Sequence, residues 1–369
     1  MTLIASFSID DTSFLLGDLL LSTPIRHSRP VHLPSIGQPA HLFPASSLLV
    51  PHSLARKVCQ FSNLSIAWAG NYGKAKTLIT RLFDETQNTG PIPYDTLQTL
   101  LPKLDPTHKV HLLGHLVDPS GSHSLTFGTK YHHPTSSFLN NLKLAGSGTK
   151  LFQNYFAHQD PSGLGPFSGN DPGSFGLAVC KALTVTGMLL QLEIGTGKTL
   201  ADYFGGGYEL VALHRNHFTL CNDLMFAFWY AQIDDRGVTI SPVMKFFKQS
   251  YAHDILTIRT LEMKAPDPAN PIFLTERTDE VHYFPPIYRD LPDQEISALP
   301  TPDLEASLLC TYILVQSQNG LEVMAQFDWS KTRQIPLRFT HNGTTMMMEV
   351  GSDYIRQVFD AIETRRPPT

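Results

Sequence analysis

The chain opens with two apolar β-strand segments joined by a short polar turn, and the second segment carries a carboxylate in its middle. Residues 3–9 and 14–22 flank the turn Asp10-Asp11-Thr12-Ser13, so a β-hairpin is predicted almost at the first residue. Asp18 interrupts the second segment. A carboxylate in an apolar strand is costly unless it meets a cation or several hydrogen-bond donors. The candidate cation is Lys57, the first residue of another strand-like run.

A threonine stands directly after Met1. Initiator methionine is normally cleaved when the second residue is small, and Thr2 would then become the amino-terminal residue. An N-terminal threonine carries a nucleophile, its Oγ, together with a base, its own α-amine. The unperturbed pKa of that amine is about 8, close to neutral pH. Thr2 is therefore a candidate nucleophile that needs no separate histidine.

Three further motifs follow along the chain. The run that starts at Lys57 leads to a second strand-like run, which ends on Ala69-Gly70 ahead of a predicted helix. Ala145-Gly146-Ser147-Gly148 precedes another predicted helix. A glycine-rich segment, DYFGGGYE, runs from Asp202 to Glu209.

The order of these features resembles the proteasome β-subunit family of N-terminal-nucleophile (Ntn) hydrolases, which includes the bacterial ATP-dependent proteasome-like peptidases. In that family the mature chain starts with threonine and has an aspartate sixteen positions later, the separation of Thr2 and Asp18 here. A lysine opens the strand before an "AG" turn, as Lys57 does. The family's "GSG" and "DxxSGG" motifs match the two later segments. Five features in this order are much harder to obtain by chance than any one of them.

The resemblance implies a role for each matched residue. Thr2 Oγ attacks a carbonyl, and its own amine, through a water, takes the proton. Lys57 acts as a cation that lowers the pKa of the amine and favours alkoxide character, the direction in which a nearby positive charge shifts such equilibria. Asp18 holds Lys57 and keeps it charged. The backbone N–H of Gly70 points at the developing oxyanion, and glycine permits a close backbone approach.

Two more residues complete the site that the resemblance implies. Ser147 and Asp202 extend the hydrogen-bond network around the terminal amine. Leu20, Trp68 and Ala69, which stand beside the matched motifs, are the candidates for the substrate pocket.

The chain departs from the family pattern at three places. A Pro/His/Ser-rich insertion of about residues 23–56 replaces a shorter connection that lines the substrate pocket in the family. Gly205 stands where the family usually has serine. No pro-peptide precedes Thr2, so activation is expected to depend on the removal of Met1.

The composition excludes several classes of function. The net charge is −5, only 17% of residues are charged, and no basic block stands out, which argues against nucleic-acid and membrane-surface binding. The four cysteines are widely separated, which fits reduced thiols in the cytoplasm. The 16 histidines form no metal-binding motif, and Gly195–Lys198 lacks the first glycine of a phosphate-binding loop. Neither a metal nor a cofactor is expected.

Periodicity predicts strands, then helices, then strands again, which is the order of an α+β fold with layered sheets. The predicted helices cover 72–85, 91–104, 149–158 and 174–192, and the last is apolar on most faces. Strands are predicted at 109–117, 122–128, 208–213 and 218–233. The resemblance implies a four-layer αββα sandwich for this part, residues 1–263.

The remainder of the chain lies outside the resemblance. Residues 264–302 are rich in proline, the composition of a linker or an extended wrap. Residues 303–369 contain two Asn-Gly hairpins, one joining 308–316 to 321–329 and one joining 336–340 to 344–350, and then a helix at 353–364. We interpret this part as a small β-rich accessory segment.

Two classes of function follow from the sequence. The first is a threonine-type amide hydrolase, an endopeptidase that works in a homo-oligomer and has an ATPase unfoldase as a possible partner; a small-substrate Ntn amidase belongs to the same class. The second is a non-catalytic scaffold similar to a proteasome α subunit. A free, reactive Thr2 discriminates between the two classes.

Overall fold

The computed structural model describes residues 2–24, 31–39, 49–128, 131–156, 168–169, 172–234, 237–264, 273–317, 320–330, 332, 334–342 and 345–363. The expectations for Met1, for 25–30 and 40–48 of the insertion, for 157–158 of a predicted helix, for 265–272 of the Pro-rich segment, for 318–319 and 343–344 of the hairpins and for residues 364–369 lie outside these residues.

Strands and helices cover most of the described chain. The strands are β1 (Leu3–Ile9), β2 (Thr12–Asp18), β3 (Leu20–Pro24), β4 (Leu49–Leu54), β5 (Val58–Phe61), β6 (Leu64–Gly70), β7 (Val110–Asp118), β8 (Gly121–Phe127), β9 (Tyr131–His132), β10 (Asn140–Gly146), β11 (Ser168–Gly169), β12 (Tyr208–His214), β13 (His217–Leu220), β14 (Leu224–Asp234), β15 (Gly237–Ala252), β16 (Ile255–Met263), β17 (Phe273–Phe284), β18 (Leu308–Ser317), β19 (Gly320–Trp329), β20 (Leu337–Asn342) and β21 (Thr345–Val350). The helices are α1 (Tyr72–Thr89), α2 (Tyr94–Leu104), α3 (Thr149–Phe156), α4 (Gly173–Thr196), α5 (Lys198–Ala201), α6 (Asp293–Ser297) and α7 (Ser352–Glu363).

The predicted amino-terminal hairpin forms the centre of a six-stranded sheet with the order β13-β12-β2-β1-β10-β9. Strands β1 and β2 pair antiparallel from Ile4 opposite Gly17 to Ile9 opposite Thr12. The turn therefore has two residues, and Asp10 adopts a φ of 49°, a left-handed conformation that short hairpin turns require and aspartate tolerates.

A second sheet, with the order β5-β6-β7-β8, packs against one face of the six-stranded sheet. Apolar side chains from both sheets form one buried cluster, which includes Ile4 and Leu15 from the hairpin and Val58, Ala67 and Leu113 from the second sheet. Helices α1 and α2 cover the opposite face of the second sheet, and their apolar side chains join a separate cluster with it. Two sheets packed face to face with helices outside make this part an α+β fold.

Helix α4 lies on the other face of the six-stranded sheet. It has the length and the apolar composition of a membrane span, but 78% of its apolar window is buried inside the protein. Its side chains belong to the largest buried cluster, together with residues of β1, β2, β12, β14 and β18. The sequence prediction of a buried helix at 174–192 agrees with this position.

The third large sheet has nine strands, with the order β11-β19-β18-β14-β15-β16-β17-β21-β20. One face of it packs on α4, and the other face packs on α7 through Tyr354, Val358 and Ile362. The Trp229 Nε1–H donates to Tyr354 Oη at 3.3 Å, which fixes α7 on β14.

The predicted boundary near residue 302 does not separate two sheets. Strand β18 pairs parallel with β14 along its whole length, from Leu224 opposite Leu308 to Gln232 opposite Gln316. Residues 308–350 therefore complete a sheet that also contains β11, β14, β15 and β16, which precede the Pro-rich segment. The Pro-rich segment itself contributes β17 to this sheet and also forms α6. The sequence could not show this because strand pairing between distant segments leaves no local pattern.

The predicted single strand at 218–233 is two strands in the structure. Strand β13 pairs with β12 in the six-stranded sheet, whereas β14 enters the nine-stranded sheet. Between them Asp223 has a φ of 60°, and its carboxylate accepts the Ser307 N–H at 3.0 Å. A left-handed residue with a carboxylate anchored to another segment redirects the chain from one sheet to the next.

Gly187 of α4 should not tolerate alanine. A Cβ there would lie 1.8 Å from Cζ of Tyr312, a fully buried ring whose hydroxyl donates to the Leu183 carbonyl at 2.6 Å. We expect G187A to lower the free energy of unfolding by about 1–3 kcal/mol, the usual cost of overpacking a core. G195A is the matched control in the same helix, because nothing lies within 4 Å of its added Cβ. Alanine there should stabilise by up to about 1 kcal/mol. Equal urea midpoints for the two variants would contradict this packing.

Candidate active site

Asp18 is the centre of the candidate site. It ends β2 and is fully buried. Its Oδ1 accepts the Thr2 hydroxyl at 2.5 Å, the Leu3 N–H at 2.9 Å and Lys57 Nζ at 2.6 Å. Its Oδ2 accepts the Gly205 N–H at 2.9 Å. The cation and the several donors that the sequence required for this carboxylate are therefore all present.

Lys57 reaches Asp18 from the second sheet. Its side chain is fully buried, and its Nζ also donates to the Leu20 carbonyl at 2.5 Å. Its own carbonyl accepts the Trp68 N–H at 2.9 Å, which fixes the residue at the start of β5. Gly17 permits this approach, because an added Cβ would lie 3.1 Å from the Lys57 Cβ. Burial lowers the pKa of Lys57, and the Asp18 carboxylate opposes that shift.

The turn before α3 holds the backbone of Thr2. The Thr2 N–H donates to Ser147 Oγ at 3.2 Å, and the Thr2 carbonyl accepts from Ser147 Oγ and from the Gly148 N–H, both at 3.3 Å. Gly146 has a φ of 102°, and a Cβ there would lie 2.0 Å from the Thr2 oxygen. The glycines around Ser147 therefore allow two backbones to approach closely.

Gly70 ends β6, the strand whose Ala67 and Ala69 pack beside Ile4 in the cluster between the sheets. Its φ is 108°, and a Cβ would lie 2.3 Å from the Lys109 carbonyl oxygen. Only glycine fits at this position. The structure thus places Gly70 at the end of a strand that packs against the strand following Thr2.

The three pocket candidates have buried side chains. Leu20 lies in a small apolar cluster with Leu33, Trp68 packs in the cluster under α1, and Ala69 lies between the two sheets. Each is no more than 1% exposed. Their side chains do not line an open pocket, because the alternation of β6 directs Trp68 and Ala69 into cores on opposite faces. Thr2 itself is 1% exposed.

Asp202 lies apart from this network. It follows α5 and is half-buried, and its N–H donates to the Lys198 and Thr199 carbonyls at 3.3 and 3.1 Å. Within the described residues, no hydrogen bond joins its side chain to Thr2 or Ser147. The glycines that follow it do reach the site, through the Gly205 N–H on Asp18.

Glu193 is a second buried carboxylate that the sequence interpretation missed. It accepts hydrogen bonds from Thr199 Oγ1 at 2.8 Å, the Gly206 N–H at 2.9 Å, Tyr208 Oη at 3.3 Å and the Ser35 hydroxyl. Burial raises its pKa to about 7, the hydroxyl and N–H donors oppose the shift, and the Asp18 charge adds to it. A lone carboxylate in an apolar helix is the same signal that identified Asp18, and it could have identified Glu193.

The glycine run 205–207 lies between the two carboxylates. All three glycines have positive φ, and a Cβ on Gly205 would lie 1.9 Å from Glu193 Oε2. The N–H of Gly205 donates to Asp18, and that of Gly206 donates to Glu193. This run, part of the segment that resembles the family's DxxSGG motif, joins Asp18 to Glu193.

A buried ion pair supports the residue before Lys57. Arg56 Nε donates to Glu209 Oε1 at 2.9 Å, and Tyr251 Oη donates to the same oxygen at 2.8 Å. The Arg56 carbonyl accepts the Trp68 Nε1–H at 3.1 Å. Arg56 is thereby tied to β12, β15 and β6, which fixes the backbone that presents Lys57.

Comparisons with known proteins add a distant structural likeness. No family model matches the sequence, and no curated protein matches it. Among solved structures, the chain is similar to the crystal structure of eukaryotic HslV from Trypanosoma brucei, with 15% sequence identity and a TM-score of 0.30, over 58% of this chain and 99% of that one. At that TM-score the likeness carries no argument about function.

Proposed function

We propose that this chain is a threonine-type amide hydrolase whose nucleophile is Thr2, exposed by the removal of Met1. The observation that carries the proposal is the convergence of the Thr2 hydroxyl and Lys57 Nζ on the same oxygen of Asp18, at 2.5 and 2.6 Å. A hydroxyl at the second residue of a chain that shares one carboxylate with a buried cation suits an N-terminal nucleophile. If it served only to stabilise the fold, this arrangement would be unfavourable, because burying two charges costs desolvation free energy.

The proposed fold is the four-layer αββα sandwich with a β-rich carboxy-terminal part. In its support, α1 and α2 pack on the β5–β8 sheet, that sheet packs on the six-stranded sheet, and α4 packs on the next face. The nine-stranded sheet then adds a further layer beyond α4.

The proposed reaction begins with attack of Thr2 Oγ on the carbonyl carbon of a peptide or amide. The hydroxyl proton passes through a water to the α-amine, and the carbonyl oxygen becomes an oxyanion that accepts the Gly70 N–H. The resulting ammonium gives its proton to the leaving amine as the C–N bond breaks. An ester on Thr2 remains, and water hydrolyses it to release the acid and regenerate the hydroxyl.

The proposed role of Lys57 is electrostatic. Its positive charge disfavours the protonated form of the neighbouring amine and favours alkoxide character at Oγ. Asp18 compensates the buried charge, and Ser147 holds the backbone nitrogen that becomes the free amine. Asp202 remains a prediction from the motif alone.

We further propose that the protein is cytoplasmic and forms a homo-oligomer, with an ATPase unfoldase as a possible partner. Sedimentation of the purified protein, with and without such a partner, would test the assembly. The four cysteines are free and buried, as a reducing compartment permits.

Burial of Thr2 favours the scaffold as the second candidate function, since a nucleophile that is 1% exposed is not open to a substrate.

Intact-mass measurement after incubation with a peptide epoxyketone tests the proposal. That warhead forms a ring with both the Thr Oγ and a free α-amine, so the expected species has lost Met1 and gained one adduct. T2A should form no adduct. T2S, which keeps a hydroxyl and an amine, should form one. A processed chain without adduct would exclude the hydrolase, and retained methionine would favour the scaffold.

A further inference from the structure

Three potential metal ligands from two distant parts of the sequence meet beside the glycine run. His32 belongs to the described segment 31–39 of the insertion, and Glu280 and His282 lie two residues apart on β17. Alternate residues of a strand share one face, so both β17 side chains point the same way. The ligand atoms of all three residues lie within 4.8 Å of one another.

The distances suit a tetrahedral ion. The His32 Nδ1–Glu280 Oε2 distance is 3.0 Å, and the His282 Nε2–Glu280 Oε2 distance is 3.7 Å. Zn²⁺ binds nitrogen and carboxylate oxygen at about 2.0–2.2 Å, so neighbouring ligands of a tetrahedron are roughly 3.3–3.5 Å apart. The two observed separations bracket that range. The imidazole rings are nearly parallel, at an interplanar angle of 11°, with centroids 6.1 Å apart.

One nitrogen of His282 is buried without a hydrogen bond. Its Nε2 is inaccessible to solvent and makes no hydrogen bond within the part of the chain that the structure describes, since Glu280 Oε2 is 3.7 Å away. A buried polar atom left without a partner costs free energy, and an ion would satisfy it.

The local charge sets the limit on affinity. Glu280 supplies one negative charge, and Lys245 of β15 is close enough to interact with both Glu280 and His282. A cationic Lys245 would repel a metal ion and so limits the affinity of the site.

We propose that His32, Glu280 and His282 form a binding site for a divalent transition metal of the kind that imidazole prefers, with Zn²⁺ as the representative ion. Two imidazoles and one carboxylate leave a fourth position for water. The expectation from the sequence that no metal binds rested on motifs of closely spaced ligands, and this set combines residues that are far apart in the chain.

Metal binding at this site would fasten segment 31–39 to β17. The same segment reaches the candidate active site, because Ser35 donates to Glu193 and Leu33 packs near Gly206. On the other side, Ile258 pairs with His282 and its Cδ1 would lie 3.2 Å from a Cβ on Gly207. The ion would thus hold the insertion in place over the glycine run. This proposal does not depend on the reactivity of Thr2.

Titration of the full-length protein with ZnCl2 after chelator treatment tests the site by calorimetry. Co²⁺ as a second probe reports the coordination geometry through its visible absorption. We expect one strongly bound ion per chain with a tetrahedral Co²⁺ spectrum. H32A and E280Q each change a proposed direct ligand. Each should therefore weaken Zn²⁺ binding by more than the roughly 10–100-fold that follows loss of a residue that only contacts a ligand. His32 is exposed on the protein surface, so H32A should leave the fold intact.

H132A is the matched control. His132 is an exposed histidine next to His133; it is distant in sequence from the three ligands and lies on a different sheet from β17. It should bind Zn²⁺ as the parent does. Limited proteolysis gives a second measurement, since Zn²⁺ should slow cleavage within segment 31–39 in the parent but not in H32A. Absence of a strong site, or equal affinity in the parent, H32A and E280Q, would overturn the proposal.

Discussion

Replacement of Lys57 by methionine should lower the free energy of unfolding by about 3–5 kcal/mol, the usual cost of leaving one partner of a buried ion pair behind. Methionine keeps the apolar stem of lysine, so the expected loss reflects charge and not volume. Asp18 would keep its bonds from Thr2, Leu3 and Gly205 but would lose the cation that pairs with it in a fully buried place. Urea denaturation followed by circular dichroism measures the change.

The same substitution at Lys181 is the matched control. Lys181 pairs with Asp10 at 3.1 Å on the surface, where both side chains are partly exposed, so K181M should cost less than about 1 kcal/mol. A double variant, D18N with K57M, removes both charges and should recover part of the stability lost in K57M. The double variant should form no epoxyketone adduct. Equal costs for K57M and K181M would mean that the Lys57–Asp18 pair is not buried in solution.

Glu193 should make the stability of the protein depend on pH. Its pKa is raised from 4.5 to about 7 in the folded protein. The folded state therefore holds a proton that the unfolded state releases near pH 4.5. The stabilisation from this group is fully present below pH 4.5, declines as the pH rises, and is lost above about pH 7. A shift of this size corresponds to about 3 kcal/mol.

Comparison with E193Q isolates this contribution. Glutamine retains an acceptor for the Gly206 N–H, and the hydroxyls of Thr199 and Tyr208 can rotate to accept from its amide. The stability of E193Q relative to the parent should therefore rise by about 3 kcal/mol between pH 4.5 and pH 8. The comparison with E193Q is needed because His115 also makes stability depend on pH. Burial lowers the pKa of His115 to about 4, so its contribution to stability increases as the pH rises, and this contribution is common to both proteins.

E295Q serves as the control for this measurement. Glu295 lies on the surface, in a loose pair with Arg289 at 3.5 Å, so its substitution should change stability by no more than about 0.5 kcal/mol at either pH. A pH-independent difference between E193Q and the parent would show that the Glu193 carboxyl does not titrate in this range.

The contacts of the candidate site could be predicted partly from the hairpin with its buried carboxylate and partly from the family resemblance. The hairpin register places Asp18 beside Leu3, the residue after Thr2, and the strand start at Lys57 and the glycines around Ser147 complete the contacts. Asp18 is a carboxylate in an otherwise apolar strand, a pattern that is visible without a structure. The contact of Ser147 with Thr2 is expected only from the family resemblance. The catalytic roles of Thr2, Asp18, Lys57, Gly70, Ser147 and Asp202 all stay predictions.

The remaining features depend on contacts between distant segments. Ser35 meets Glu193, and the glycine run meets both carboxylates, only after three separate parts of the chain have come together. The sequence does not predict strands β15 and β16, because polar residues such as Lys248 and Arg259 are buried in them by partners elsewhere. No window of the sequence contains that information.

The parallel pairing of β14 with β18 has a consequence for the order in which the protein folds. Helix α4 is covered by Tyr312 and its neighbours on β18, which leave the ribosome long after α4 itself. Until they arrive, the apolar face of α4 that they cover is open to water, and the hairpin sheet lacks its outer support. Contacts between such distant segments form slowly because the loop between them must close first. The nascent chain must therefore wait for β18 before this face of α4 is covered, and during that interval the exposed helix is a place where aggregation or chaperone binding can begin.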